Sequence, residues 1–507
     1  MALVLFVRSD AKGLPMARQA DHDADVIVIG AGNAGLVAAL AALERDRSVL
    51  VLERAPRDHA GGNSYYTAGA TRITHEGLED LLDLVEPDER HARTVVPPYS
   101  AEDYLRDLHR VTDGRTDPDM ARTLTSEATS TLRWLRKRHG LRYRLMYERQ
   151  AYETEEGSYM FWGGLHVGNV DGGVGLIADE LAAVARAGGE VRYGQHVVDL
   201  LVDDGAVVGV VVDVDGERTS LRASSVIIAA GGFEANADLR RQYLGAGWEH
   251  AKVRGTPYNT GDLLLRALEL GAAPGGDWGT CHSVAWDAWA EDNESNRELT
   301  NRLTRQSYIL GIVVNRAGER FLDEGADYRN YTYAKYGAEI LKQLDSVAFQ
   351  VYDADLRPML RSEEYDMPGI GVVEADTIEE LAAGLGVDAD RLRATVDGFN
   401  AAIDRTVEPN PNVKDGRAAL VQPPKSNWAY PIETPPFYAY PVTCGITFTF
   451  GGLRGDLDGR VLDSGGEPIP GLFVCGEALG GLFSGNYPGG SGLAAGSVFG
   501  RRAGAAA

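Results

Sequence analysis

The chain contains only three cysteines in 507 residues, Cys281, Cys444 and Cys475, and none is spaced as a CxxC pair or a metal-ligand set. That argues against a disulfide framework, a zinc or other metal site, an iron–sulfur centre and a c-type haem. Basic residues are scarce as well: 50 Lys and Arg stand against 74 Asp and Glu, a net charge of −24. Such a surface repels nucleic acid and anionic membrane, so an anionic substrate has to be drawn in by a local basic cluster. No apolar run is long enough to span a bilayer, and residues 1–7 are too short and lack the basic start of a signal peptide. These absences predict a soluble cytoplasmic protein in a reducing compartment, with residues 1–22 as a polar tail and Met16 as an alternative initiation residue. A 44% hydrophobic fraction, on more length than one core usually serves, predicts two domains.

What the sequence does contain is a nucleotide-binding βαβ unit. The run Asp25-Val26-Ile27-Val28-Ile29-Gly30-Ala31-Gly32-Asn33-Ala34-Gly35 leads into an apolar segment and then into Val49-Leu50-Val51-Leu52-Glu53. Gly30 permits the tight turn off the first strand, Gly32 lets a pyrophosphate approach the backbone, and Gly35 lets the helix pack close to the sheet. A helix starting near Asn33 and Ala34 points its N–H groups at the phosphates. Glu53, followed by Arg54, closes the second strand where an acid accepts the hydroxyls of a ribose.

Further along, Gly61-Gly62-Asn63-Ser64-Tyr65-Tyr66-Thr67-Ala68-Gly69-Ala70 reads as a loop of small residues without helical period. Helical patterning dominates residues 101–138, Gly163-Gly164 and Gly172-Gly173 bracket another loop, and residues 176–187 read as a helix on a sheet. Residues 191–193, 197–202, 206–214 and 219–221 are β-rich and separated by Asp-Gly turns, which predicts an antiparallel meander. The apolar run Ser225-Val226-Ile227-Ile228-Ala229-Ala230-Gly231-Gly232 reads as a buried parallel strand returning to the nucleotide sheet. Gly471-Leu472-Phe473-Val474-Cys475-Gly476-Glu477 reads as one more such strand, and residues 489–502 as a closing helix. The fold class is α/β: a Rossmann-like domain with a parallel sheet and β-meander, residues 23–276 and 423–507, and an inserted α+β capping domain, residues 277–422.

The βαβ unit, the Gly-Gly-Asn-Ser loop, the Ala-Ala-Gly-Gly strand end and the Leu-Phe-Val-Cys-Gly-Glu strand together resemble the FAD-dependent fumarate reductase and succinate dehydrogenase flavoprotein family. The likeness runs from Asp23 onward and is greatest to tricarballylate dehydrogenase-like members, which similarly carry Val442-Thr443-Cys444-Gly445-Ile446-Thr447-Phe448-Thr449-Phe450-Gly451-Gly452 and Asn486-Tyr487-Pro488-Gly489-Gly490-Ser491-Gly492-Leu493. The resemblance implies an FAD held by the first βαβ unit, by Gly62, Asn63, Ser64, Thr67, Ala68 and Gly69, and by Ala230, Gly231 and Gly232. It also implies Val198 near the adenine, Gly476 and Glu477 at hydroxyls of the cofactor, and Ser491, Gly492 and Leu493 opening a helix toward flavin N1 and O2. Members with covalent flavin carry a His where Ser64, Tyr65 and Tyr66 stand here, so dissociable, non-covalent FAD is expected.

Within Gly318-Glu319-Arg320-Phe321-Leu322-Asp323-Glu324-Gly325-Ala326-Asp327-Tyr328-Arg329 the resemblance carries the family's catalytic arginine onto Arg329. The bland reading is an arginine paired at the surface with Asp323, Glu324 or Asp327. His282 stands where the family places a carboxylate-binding His, with a merely satisfied buried histidine as the alternative. Two departures count against a simple dicarboxylate: Phe448 replaces a second carboxylate-binding His, and Tyr487 replaces the arginine that anchors the far end of fumarate. The substrate is expected to be less anionic, larger or more apolar than fumarate. Tyr487 gains interest because the related 3-ketosteroid dehydrogenases use tyrosines as proton acceptor and polarising donor. Cys444, with no basic neighbour in sequence, reads as a small buried residue.

The resemblance therefore implies an FAD-dependent dehydrogenase or reductase of CH–CH bonds. Hydride moves between flavin N5 and a carbon beside a carboxylate or carbonyl, and a proton moves through Arg329 or a tyrosine. A ketosteroid-like or secondary-metabolite desaturase using Tyr487, and a flavin electron-transfer protein without its own small substrate, are the alternatives. Expected partners are a small saturated or unsaturated acid or enone and a separate electron donor or acceptor.

Overall fold

The computed structural model describes residues 22–154, 156–410 and 413–507. The expected N-terminal tail, His22 apart, and Met16 lie outside the described residues.

Four apolar runs form a parallel sheet because each is buried on both faces. Ala24–Ile29 lies between Val49–Leu52 and the second half of Glu217–Ile228, and Pro468–Val474 adds beyond that strand. All four positions of Val49–Leu52 are buried, as a doubly covered strand requires. The meander is His196–Asp203, Ala206–Val214 and the first half of Glu217–Ile228, all antiparallel. Two expectations are corrected here. The run 191–193 is not a meander strand: Glu190–Arg192 pairs parallel with Val49–Leu52 at the sheet edge. Nor are 219–221 and 225–228 separate strands, because one continuous strand leaves the meander and enters the parallel sheet.

The helix Asn33–Leu43 is buried along most of its length, between the sheet and the closing helix Ser491–Ala506. The two helices approach this closely because the latter presents Gly496, Gly500 and Gly504 at successive turns. A Cβ at Gly500 would lie 2.5 Å from the Ala34 carbonyl oxygen, and one at Gly504 2.0 Å from that of Ala38. The loop expected over 61–70 contains one helical turn, Gly62–Tyr65, opened by Gly61 at φ 108°. Between the two glycine pairs a short strand, Val167–Asn169, intervenes, and Gly172 begins the helix Gly172–Arg186.

The second sheet is organised on the 17-residue strand Phe437–Leu453. Pro274–Asp287 runs antiparallel beside it over nearly its whole length, with Val347–Tyr352, Val373–Ala375 and the short Lys252–Val253 as its other neighbours. Ile312–Asn315 adds at the far edge, and helix Arg329–Leu341 packs across this sheet. The sequence division at 276/277 thus falls inside a strand, and the sheet of the central segment takes its spine from beyond residue 423. Among the described residues no helix is long and apolar enough to cross a membrane.

Candidate active site

Two cavities, of about 930 and 1350 Å³, meet where the two sheets face each other. Asn33, Ala34, Asn63, Ser64, Gly476 and Glu477 line both, so they form one continuous channel.

The smaller cavity suits a pyrophosphate and a ribose. Gly30 turns at φ 105°, and a Cβ there would lie 2.4 Å from the Ala229 carbonyl. The helices beginning at Asn33 and Ser491 have no side-chain cap and no acid in the first turn, so their positive ends stay available for an anion. Glu53 is buried and accepts the backbone N–H groups of Ala31 and Ala55, each at 2.8 Å. Burial pushes its pKa up, while those amide donors hold it down. Arg54 reaches Thr260 at 2.6 Å and Asp262 at 3.1 Å across the cavity mouth.

At the junction, Glu477 accepts the Thr449 N–H at 2.8 Å and lies against Glu234, which accepts amide protons from Asn63 and Asn259, each at 2.6 Å. Burial, and then the neighbouring Glu234, hold Glu477 well above the carboxylate range, so this pair retains a proton. A protonated carboxyl donates as well as accepts, which suits it to a hydroxylated chain.

The larger cavity carries the reactive groups. Arg329, the first residue of helix Arg329–Leu341, is only 6% exposed. Its guanidinium donates to Gln306 Oε1 at 2.6 Å and to the Arg149 carbonyl at 2.9 Å. Among the described residues it pairs with no carboxylate. The surface ion-pair reading is corrected, because Glu324 holds Arg320, Asp323 accepts from Ser426, and Asp327 faces Arg110 and Lys414. Burial, with Arg361 and Arg149 alongside, pushes the Arg329 pKa down to about 9. Arg149 itself is neutralised by Glu363 and Glu364.

His282 is fully buried with both ring nitrogens unpartnered, stacks on Phe448 at 5.3 Å and meets Tyr487 edge-on at 4.9 Å. Burial and Arg254 drive its pKa well below the ordinary value, so the ring is neutral. Tyr487 shares a short hydroxyl hydrogen bond with Tyr333, and both phenols are raised by burial. Phe448, Phe450 and Phe483 complete an aromatic wall.

The structure brings Arg329, His282 and Tyr487 into one cavity with Thr67, Ala68, Gly492 and Leu493, while Gly30, Gly32, Glu53, Arg54, Gly62, Ala230 and Gly231 line the other. Five expected cofactor contacts lie behind the walls. Gly35 and Gly232 are packing positions, since a Cβ would meet the Gly30 carbonyl at 2.1 Å or Glu477 Oε1 at 2.1 Å. Gly69 packs on Gly172, and Ser491 is fully buried with its hydroxyl on Tyr104 at 2.9 Å. Val198 sits at a register shift between Val197 and Asp199, and it is His196 and Val197 that reach the cavity. Sequence reasoning missed Glu234, Arg254, Gln306 and Tyr333. Cys444 is buried and its thiol is pushed up to about 12 by burial, so it is no nucleophile.

Comparison with known proteins agrees with this geometry. The NADH:acrylate oxidoreductase of Vibrio harveyi is 27% identical over 96% of this chain, although the chain spans only 50% of that protein's length. The 4-oxocyclohexanecarboxylate 2-dehydrogenase of Sinomonas cyclohexanicum is 30% identical, with 92% of this chain and 89% of that protein aligned. A flavocytochrome c3 fumarate reductase in its open conformation superposes with a TM-score of 0.69 at 25% identity, covering 96% of this chain and 78% of that one. Residues 25–493 match the FAD binding domain family. The chain belongs to that family and is an FAD-dependent oxidoreductase.

Proposed function

We propose that this enzyme interconverts a carbon–carbon single and double bond beside a carboxylate or carbonyl of a small flat substrate. The observation that carries the reading is Arg329, a buried guanidinium without a carboxylate partner on the wall of the cavity that Asn63, Gly476 and Glu477 share with the nucleotide channel. Bound FAD supplies the two-electron chemistry, exchanging hydride at N5.

The chain's own residues handle the proton and the geometry. Arg329, held by Gln306 and the Arg149 carbonyl, gives a proton to the carbon beside the reduced one and takes it back in the reverse direction. Its lowered pKa brings that exchange within reach of physiological pH. Glu234 and Glu477 would hold hydroxyls of the cofactor, Glu53 the adenosine ribose, and the two helix N-termini its phosphates and flavin ring. The aromatic wall excludes water from the reacting face, and the second sheet with helix Arg329–Leu341 covers the cavity. A separate protein or small carrier exchanges electrons with the enzyme. A cytoplasmic location is supported by three cysteines that are all free and buried.

An enone substrate is the second reading. It is favoured by the Tyr487–Tyr333 hydroxyl pair, which can donate to a ketone oxygen and polarise it. An anaerobic screen tests both: saturated acids and ketones against oxidised flavin, and their unsaturated counterparts against reduced flavin. Bleaching or reoxidation by at least one pair supports the proposal, and inertness toward all of them refutes it.

A further inference from the structure

Resting on that reading, we infer that Arg254 is the cation that fixes the substrate's carboxylate, and that the substrate is a monocarboxylate whose remainder is a flat, largely apolar or ring-shaped body.

Burying a charge is costly unless an opposite charge joins it. Arg254 is 8% exposed and lines the larger cavity, yet among the described residues the only hydrogen bond of its guanidinium is from Nη1 to Thr447 Oγ1 at 2.7 Å. Nε has no partner, and among the described residues no carboxylate lies within ion-pairing distance. The other cations of this wall have other work. Arg149 and Arg361 share Glu363 and Glu364, while Arg329, held by Gln306 and the Arg149 carbonyl, is the proton-exchanging group of the proposed reaction. Four guanidiniums therefore face two carboxylates, an excess of two positive charges in a chain of net charge −24. Glu477 does not offset it, because burial and Glu234 keep it protonated.

Facing Arg254 are uncharged rings: neutral His282, Phe448 stacked on it at 5.3 Å, Tyr487 at 4.9 Å, and Phe483 against Tyr487 at 5.4 Å. Those rings surround a flat body and offer a second carboxylate no positive charge. One anionic end and one apolar end follow from the two sides of the cavity.

The test is a titration of the FAD-loaded enzyme followed by the visible flavin spectrum, with benzoate, benzamide and succinate as probes. Benzoate is expected to bind saturably and more tightly than either of the others. Arg254→Gln is expected to weaken benzoate by about ten- to a hundredfold while leaving benzamide within about threefold, and Arg254→Lys to fall between. The FAD-to-protein ratio and the thermal midpoint identify a variant that has lost its fold, in which case Arg254→Lys decides. Equal weakening of benzoate and benzamide, unchanged benzoate binding in Arg254→Gln, tighter binding of succinate, or no benzoate binding to wild type would overturn the inference. The assay needs no turnover, so a wild type that binds benzoate through Arg254 but converts no acid or ketone would sink the proposed reaction and leave the anchor standing.

Discussion

The Arg329 guanidinium gives the enzyme a pH signature whose sign depends on direction. With its pKa pushed down from the ordinary 12.5 to about 9, about 1% of the group is deprotonated at pH 7 and half at pH 9. Oxidation of a saturated substrate requires the deprotonated form, so its rate rises by about fiftyfold between pH 7 and pH 9 and then levels. Reduction requires the protonated form, so its rate is flat near pH 7 and falls only as pH passes 9. Arg361 and Arg149 contribute to the depression as neighbouring positive charges, so Arg361→Gln lets the Arg329 pKa rise and moves both limbs to higher pH. Arg329→Gln retains yellow bound FAD, loses turnover by about a hundred- to ten-thousandfold and abolishes the limb. The assay is anaerobic flavin bleaching or reoxidation by stopped flow, with the substrate pair found in the screen and pH varied in steps. A flat oxidative profile from pH 7 to pH 9, or Arg329→Gln within about tenfold of wild type, would refute the assignment.

Three further outcomes are expected. Tyr487→Phe keeps the aromatic wall and the FAD content but removes one hydroxyl of the Tyr487–Tyr333 pair; steady-state kinetics should show a larger loss of kcat on a ketone than on an acid, and equal losses would remove the pair from carbonyl polarisation. Glu53→Ala leaves the Ala31 and Ala55 amides without their acceptor and should weaken FAD by about ten- to a hundredfold in a flavin fluorescence titration. Acid precipitation should leave the flavin in the supernatant, as expected of a site that places Ser64, Tyr65 and Tyr66 where a covalent anchor would stand; colour in the pellet would contradict it.

The nucleotide end of the site was legible because its parts are consecutive in the chain: Gly30 and Gly32 serve one turn, and Glu53 ends the next strand. Arg329 was legible through a linear motif for the same reason. The residues that escaped are brought in by tertiary contact. Arg254 follows the short strand Lys252–Val253, Glu234 follows a glycine turn, and Gln306 precedes a single helical turn; nothing local marks any of them. Val198, expected near the adenine through its backbone, sits where the strand shifts register between Val197 and Asp199, next to Val197 on the cavity wall. Gly35 was read as the residue that lets the helix pack close to the sheet, and Gly232 joins it in a packing role. Gly35 and Gly232 are glycines because protein atoms, and not cofactor atoms, occupy the space a side chain would need.

Along Phe437–Leu453, neighbouring side chains do different jobs on one cavity wall, because the pairing with Pro274–Asp287 shifts register at Thr447. Thr447 receives Arg254 and Thr449 binds Glu477, whereas Phe448 and Phe450 join the ring cluster. Deleting or inserting one residue between Tyr438 and Ile446 would slide that shift along the strand and carry the two hydroxyls away from Arg254 and Glu477. A change of length in this stretch therefore disturbs both ends of the cavity at once, whereas a change of one side chain touches a single contact.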